Sequence, residues 1–382
     1  MASPRQSFLI SIEDEFGGGI GKDKAWIAPP PGAYFDSTNS RQTTRIQSTG
    51  AKTWDAFAYG RMTGSWNMTF MFDYDYPEPL QFIFEEVTPS TIRAPTGSKP
   101  GKFQYVFQKV NNKRVPSFTV RRVRLNGMAG GPTDKDEIVT LYGCVCTSVS
   151  FARASGSSQM QVNMSGFYAD EKMELGTLTA TDYQPYAGNL GEYSCLFIGE
   201  YTDEDNYVAN TESLSISIDN SAEAIYNICT PIAKQFSEGI TNYTFSTTAY
   251  ANNPTHWEER VYSGGVSNDA TYPWRKGLAP VPLMHILSYN EEVDMDDQDM
   301  DTHAEAFTAS EYSLDIEITN CVIKSLQWQN GDGGKLQDAI SSADCQKIIM
   351  TITTDMSTIG FTNDNPHHVT PVAIPAGTQS GN

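Results

Sequence analysis

The chain has 382 residues, 39% of them hydrophobic, with 18 Phe and 19 Tyr; this excludes a disordered polymer, and at roughly 150 residues per domain the working count is two domains. Its 26 Lys and Arg against 46 Asp and Glu give a formal charge of −20, which disfavours general attraction to phosphate and argues against a genome-packing role. No run approaches the roughly 18–20 consecutive apolar residues of a membrane helix, and Met1 to Gln6 lacks the apolar core of a signal peptide, so a cytoplasmic protein without a membrane partner is expected.

In chain order, the first predicted element is a strand from Phe8 that runs into an acidic, glycine-rich stretch ending at Gly19. The run Gly17-Gly18-Gly19-Ile20-Gly21-Lys22-Asp23 approaches a phosphate-binding loop. It has Phe16 where the first glycine belongs and Asp23 where a Ser or Thr would follow the lysine, so it reads as a loop. Trp66, Met68, Phe70 and Phe72 then alternate with Asn67, Thr69 and Met71, the period of two of a strand with one strongly apolar face. Pro77 opens a predicted short helix from Pro77 to Val87, with Leu80 and Phe84 at i, i+4 spacing. Strands follow over Pro116 to Val120 and Gly143 to Phe151, then a polar turn over Ala154 to Ser158 and a strand over Met160 to Phe167. Asp182, Pro185, Gly188 and Gly191 mark a junction between Thr179 and Gly191.

The second half repeats this order at an offset of 177 residues. Tyr243, Phe245, Thr247 and Ala249 stand where Trp66, Met68, Phe70 and Phe72 stood, and Pro254 opens a helix to Tyr262 carrying Trp257 and Val261. Asn320 to Trp328 matches Gly143 to Phe151, aligning Cys144 with Cys321 and Ser148 with Ser325. A polar turn over Asn330 to Gly334 and a strand over Lys347 to Thr353 complete the match to Met160–Phe167. The expected fold is mainly β: two tandem β-sandwich or split-barrel units, residues 1–180 and 191–360, each with a short α-helix, and a C-terminal tail or arm over 361–382. Trp66, Phe70, Leu80 and Phe84 are expected in the first core, and Trp257 and Trp328 in the second.

Residues that could carry chemistry do not combine. Asp294, Asp296, Gln298 and Glu305 fall at positions 1, 3, 5 and 12 of a calcium loop, but Asp299 replaces the turn glycine and the flanks read as strands, so a solvated acidic insertion is expected. His256, His285, His303, His367 and His368 have no zinc spacing to Cys or carboxylates. Cys144 and Cys146 share a strand face without a second pair, and all six cysteines are expected as reduced thiols, mostly in apolar strands. There is no Gly-x-Ser-x-Gly elbow. No catalytic, cofactor-binding or metal residue is assigned, no cofactor is expected, and the protein reads as a non-enzyme.

The order of these features resembles the tail tube proteins (major tail proteins) of long-tailed bacteriophages and archaeal tailed viruses, in a duplicated form. The residues that carry it are Phe8 to Gly19, Gly64-Ser65-Trp66-Asn67-Met68-Thr69-Phe70 before the proline-started helix, Pro116 to Val120, Gly143-Cys144-Val145 and Leu214 to Asn220. The likeness spans about Ser7 to Thr354. It implies a structural virion protein of the tail, assembled in the host cytoplasm, whose units extend a sheet across subunits into rings that stack into a conduit for genome ejection. Implied partners are further copies of itself, the tape measure and tail terminator proteins, and viral DNA passing without specific binding along a net negative wall. Because the family's rings are six-fold in units, a two-unit chain implies a homotrimer with pseudo-six-fold symmetry; the alternative is a homohexamer with one half outside the ring. From another class, a β-sandwich virion-surface or receptor- or carbohydrate-binding module would stay small in solution where a tube protein polymerises. A hydrolase on a β scaffold lacks a nucleophile or metal constellation.

Overall fold

A computed structural model describes residues 8–30, 32–46, 56–97, 99–110, 113–124, 136–154, 159–176, 193–203, 206–208, 211–250, 281–290, 300–330 and 336–369. The chain is mainly β. Its first half runs through β1 (Phe8–Ile12), β2 (Trp26–Ile27), β3 (Tyr34–Ile46), β4 (Ala56–Met71), β5 (Glu86–Arg93), β6 (Lys102–Gln108), β7 (Phe118–Arg124), β8 (Asp136–Ala154), β9 (Gln161–Tyr168) and β10 (Asp170–Gly176). The second half holds β11 (Tyr193–Phe197), β12 (Thr211–Asp219), a small hairpin of β13 (Glu223–Tyr226) and β14 (Ala233–Ser237), and β15 (Asn242–Tyr250). It continues with β16 (Val281–Tyr289), α1 (Met300–Ala309), β17 (Ser313–Asn330), β18 (Leu336–Cys345), β19 (Lys347–Thr354) and β20 (His368–Val369).

Every pairing is antiparallel, and all strands except the β13–β14 hairpin join one hydrogen-bonded network. The network has a central ladder and two flanking ones. In the central ladder the order is β3-β4-β9-β8-β12-β15-β18-β17. One flanking ladder runs β20-β2-β1-β7-β8-β10, and the other runs β11-β16-β17-β19-β6-β5.

The long strands β8 and β17 each serve two ladders because they bend at a left-handed residue, Gly143 (φ 64°) in β8 and Asn320 (φ 50°) in β17. At Gly143 the glycine is required twice over. A Cβ there would sit 2.8 Å from the Ala169 methyl and 3.0 Å from the Phe16 ring. Its N–H donates to Glu13 Oε1 at 2.8 Å, which fixes the bend. A one-residue bulge follows in each strand, between Cys146 and Ser148 and between Ile323 and Ser325.

Between the central ladder and the first flanking ladder lies an aromatic core. Trp66 stacks on Phe35 with ring centres 5.9 Å apart and meets Phe118 edge-on at 5.2 Å. Phe118 in turn stacks on Phe82 at 3.8 Å. The indole N–H of Trp66 donates to the Phe167 carbonyl at 3.0 Å, so its one polar group is paired inside the core. Trp66, Phe70, Leu80 and Phe84, expected in the core, are all buried.

Three expectations are corrected. The helix from Pro77 is a short 3-10 turn, Glu78–Phe82, followed directly by strand β5. Glu78, Pro79, Leu80, Phe82, Ile83 and Phe84 are all buried, so the segment is enclosed on every side and does not present one helical stripe. Its expected counterpart, Pro254 to Tyr262 with Trp257, lies outside the described residues, as does the Trp328 side chain. Among the described residues the α-helix is instead α1, which begins at the C-terminal end of the acidic insertion, where a strand was expected. Finally, Cys321 and Cys345 form a disulfide, contrary to the expectation of reduced thiols only. Their neighbours Val322 and Asp344 pair across β17 and β18, so the register sets the two cysteines opposite each other with Cα atoms 4.1 Å apart.

Candidate functional surface

The glycine-rich loop spends its donors on backbone carbonyls, from Gly18, Gly21 and Lys24, and on its own carboxylates. Gly17 N–H donates to Glu13 Oε2 at 2.9 Å and Lys22 N–H to Asp14 Oδ2 at 2.6 Å, while Thr119 Oγ1 and Gly143 N–H share Glu13 Oε1. Acidic groups therefore occupy the places a phosphate would need. Cys144 and Cys146 are fully buried, and burial pushes both thiols up, away from the reactive thiolate. His285 is bound through Nδ1 to Asp315 at 2.9 Å; burial alone would lower its pKa, but the carboxylate outweighs it and holds the ring above the usual imidazole value. His367, lowered by burial, stacks on Tyr76 and lies 2.7 Å from the Asp75 carbonyl. Among the described residues no three His, Cys, Asp or Glu side chains are grouped to hold a metal. Asp294, Asp296 and Gln298 lie outside those residues; Glu305 is on α1.

The extended feature is the central ladder, whose two faces differ in kind. Alternation sends Trp66, Met68 and Phe70 of β4, Phe151 of β8, Val162 and Met164 of β9, Leu214, Ile216 and Ile218 of β12 and Phe245 of β15 into the core. The opposite face carries Ser65, Asn67 and Thr69, then Ser148 and Ser150, Asn163 and Ser165, Ser215 and Ser217, and Thr244, Ser246 and Thr248. These short groups bond across strands: Thr38 to Ser65 and Ser40 to Thr63 at 2.7 Å, Thr69 to Asn163 at 2.9 Å, and Ser148 to Ser165 at 2.7 Å. Charge enters toward its rims, as Asp36, Asp219 and the Lys324–Asp344 ion pair. At one end the β13–β14 hairpin folds over this face, packing Phe236 against Val145 and Phe167 and joining Met62 to Pro231 by a 2.9 Å backbone bond.

Besides the two-residue β2·β20 pairing, two longer strand pairings among the described residues hold the halves of the chain together. β8 pairs with β12 over seven residues from Ser148↔Asp219 to Ala154↔Ser213, and β6 pairs with β19 over six. A buried knot reinforces the first. Lys109 Nζ contacts Glu85 at 2.9 Å and reaches across to Asn220 Oδ1 at 2.6 Å and Thr241 Oγ1 at 3.0 Å. Arg93 grips Glu311 with two bonds of 2.9 and 2.7 Å near the second. The segment after β19 then clasps the first half: Phe361 stacks on Phe82, Tyr105 donates to the Met356 carbonyl, and Asn365 donates to Glu78 Oε1 at 2.6 Å. Glu78 is fully buried with Oε2 unpartnered, and burial raises its pKa to about 7.

Among the described residues, both ends of the central ladder are open. β3 pairs on one side only, with β4, and residues 322–330 of β17 pair only with β18. The Ser37 N–H turns to the Asp36 carboxylate at 2.8 Å instead of to a strand. Sequence reasoning singled out neither Glu13, Glu78 nor Lys109. Only Glu78 left a signal there, as a carboxylate set between Pro77 and Pro79 in an apolar run. Among the described residues no helix is long and apolar enough to cross a membrane. Comparison with protein-family models and with curated proteins finds no match to this chain.

Proposed function

We propose that the chain is a non-enzymatic, self-assembling structural protein made of two copies of one β unit, whose rings stack into the tube of a viral tail. The observation that carries this reading is a repeated pairing pattern. The six pairings β3·β4, β4·β9, β9·β8, β8·β7, β7·β1 and β8·β10 have counterparts, in order, in β12·β15, β15·β18, β18·β17, β17·β16, β16·β11 and β17·β19. Residue pairs keep the 177-residue offset as well: Ser148↔Ser165 matches Ser325↔Ser342, and Tyr142↔Asp170 matches Thr319↔Lys347. So do the left-handed residues Gly143 and Asn320 and the bulges beside them.

On this reading two details of the sequence alignment change. The strand β9 corresponds to β18, not to the Lys347 segment, which corresponds to β10. Trp66, paired with Gly166, corresponds to Phe245, paired with Ala343, and not to Tyr243. A shift of two residues leaves an alternating pattern unchanged, so the pattern alone could not choose between them.

The central ladder thus holds the same four-strand set twice, head to tail, and a contact of that kind continues from copy to copy until a ring closes. Three chains would then form a ring of pseudo-six-fold symmetry. Because the flanking ladders cover the apolar face, the hydroxyl and amide face is the one free to line a channel. Its described side chains supply few cations to hold a phosphate backbone, and the chain as a whole is net negative, so DNA would pass without binding. The tape measure and tail terminator proteins remain the partners implied for the tube's interior and end. Negative-stain microscopy of nuclease-treated protein at high concentration tests the reading. Rings or tubes are expected; a population that stays monomeric would overturn it in favour of a binding module.

A further inference from the structure

We infer that the open edge of β3 and residues 325–330 of β17 are the joint between successive copies of the chain, paired antiparallel with Ser37 opposite Trp328, Asn39 opposite Leu326 and Ser40 opposite Ser325. The inference rests on the ring reading above and specifies its contact. Its basis is the joint already present inside the chain. There β12 meets β8 with Ile216 opposite Phe151, Ile218 opposite Val149 and Asp219 opposite Ser148. β3 is to β4 as β12 is to β15: Ser37 pairs with Trp66 as Ile216 pairs with Phe245. Residues 325–330 of β17 stand to β18 as 148–153 of β8 stand to β9. Substituting each strand by its counterpart carries the internal register over to the contact between chains.

The two edges have the character this requires. Strands that must stay unpaired carry lysine, proline or inward charges. Over the segments that would meet, Tyr34 to Ser40 of β3 reads Tyr-Phe-Asp-Ser-Thr-Asn-Ser and Ser325 to Asn330 of β17 reads Ser-Leu-Gln-Trp-Gln-Asn, with neither proline nor lysine and Asp36 as the single charge; Arg41 and Lys324 stand just beyond them. The Ser37 N–H faces away from β4, held by a side chain that a strand carbonyl can replace. The other long inter-half pairing leaves a matching sign. β19 accepts β6 on its outer side, whereas its counterpart β10 is unpaired there among the described residues.

The test uses the full chain with Cys229→Ser, which removes the exposed free thiol. Ser40→Cys and Ser325→Cys are added together, the protein is assembled and oxidised, and chains are separated in denaturant without reductant. Linked dimers and a ring-sized species are expected, at least tenfold above a control with Ser40→Cys and Gln329→Cys. Independently, Ser37→Pro removes the outward N–H and leaves the β3·β4 ladder intact, so rings should be lost while the melting temperature of the single chain is unchanged. Rings that form without the in-register crosslink, or that tolerate Ser37→Pro, overturn the joint and leave the tube reading standing. Failure of the Cys229→Ser parent to form rings removes that reading and the joint with it.

Discussion

Replacing Gly143 by Ala perturbs the point where β8 passes from one ladder to the next, and its cost can be worked from the local geometry. At φ 64° an L side chain costs roughly 1–2 kcal/mol. The added methyl also meets Ala169 at 2.8 Å and Phe16 at 3.0 Å, an overlap worth about 1–3 kcal/mol in a packed site. Against this, Ala narrows the unfolded ensemble by about 0.4–1 kcal/mol. The net expectation is a loss of about 2–4 kcal/mol, which at an m-value of about 3 kcal/mol/M moves the urea midpoint down by roughly 1 M. At the matched bend in β17, Asn320→Gly should change the midpoint little, because the easier adoption of φ 50° is offset by a wider unfolded ensemble and by loss of the exposed hydrogen bond from Asn320 to Gln346. A Gly143→Ala midpoint equal to wild type, or an Asn320→Gly loss as large, would refute the bend as the device that shares a strand between ladders.

Trp66→Ala removes a buried indole with two aromatic neighbours and a hydrogen bond to Phe167, so a loss of about 3–5 kcal/mol is expected in thermal or urea unfolding, against a change within about 0.5 kcal/mol for exposed Met173→Ala. Glu78 has a folded pKa near 7 against an ordinary carboxyl value of 4.5. Its contribution is therefore fully present below about pH 4.5, falls as pH rises toward 7 and is level above that, by about 3 kcal/mol in all. Glu78→Gln should flatten that part of the stability profile, and an unchanged slope would contradict the assignment. Denatured without reductant, the chain should show four titratable thiols, Cys144, Cys146, Cys195 and Cys229; a count of six would mean that Cys321 and Cys345 are not bonded.

Much of this architecture was readable from side-chain alternation. The Trp66 to Phe72 run marked β4 and its buried face; on β12 the same alternation, Leu214, Ile216 and Ile218 against Ser215 and Ser217, separates an apolar from a hydroxyl face but was not read from the sequence. The Gly143 to Phe151 motif held its register because a left-handed residue and a bulge are not periodic, so they align in one way only. Elements that depend on register or on enclosure were hidden. Nothing in the chain near Cys321 indicates that Cys345 lies opposite, since that follows from the hairpin pairing. The Pro77 segment had helical spacing, yet residues 79, 80 and 82–84 are buried together, which no single-face pattern describes. The open edges of the central ladder belong to strand order, which alternation leaves unspecified.

The most direct test of the account is the rotational symmetry of an assembled ring, read from a tube cross-section or from the mass of one ring. Two matched units in every chain predict three chains per ring, with six similar but unequal lobes around the channel. Six chains in a single ring would contradict the account, because the second half would then lie outside the wall and the repeated pairing would not be what closes the circle.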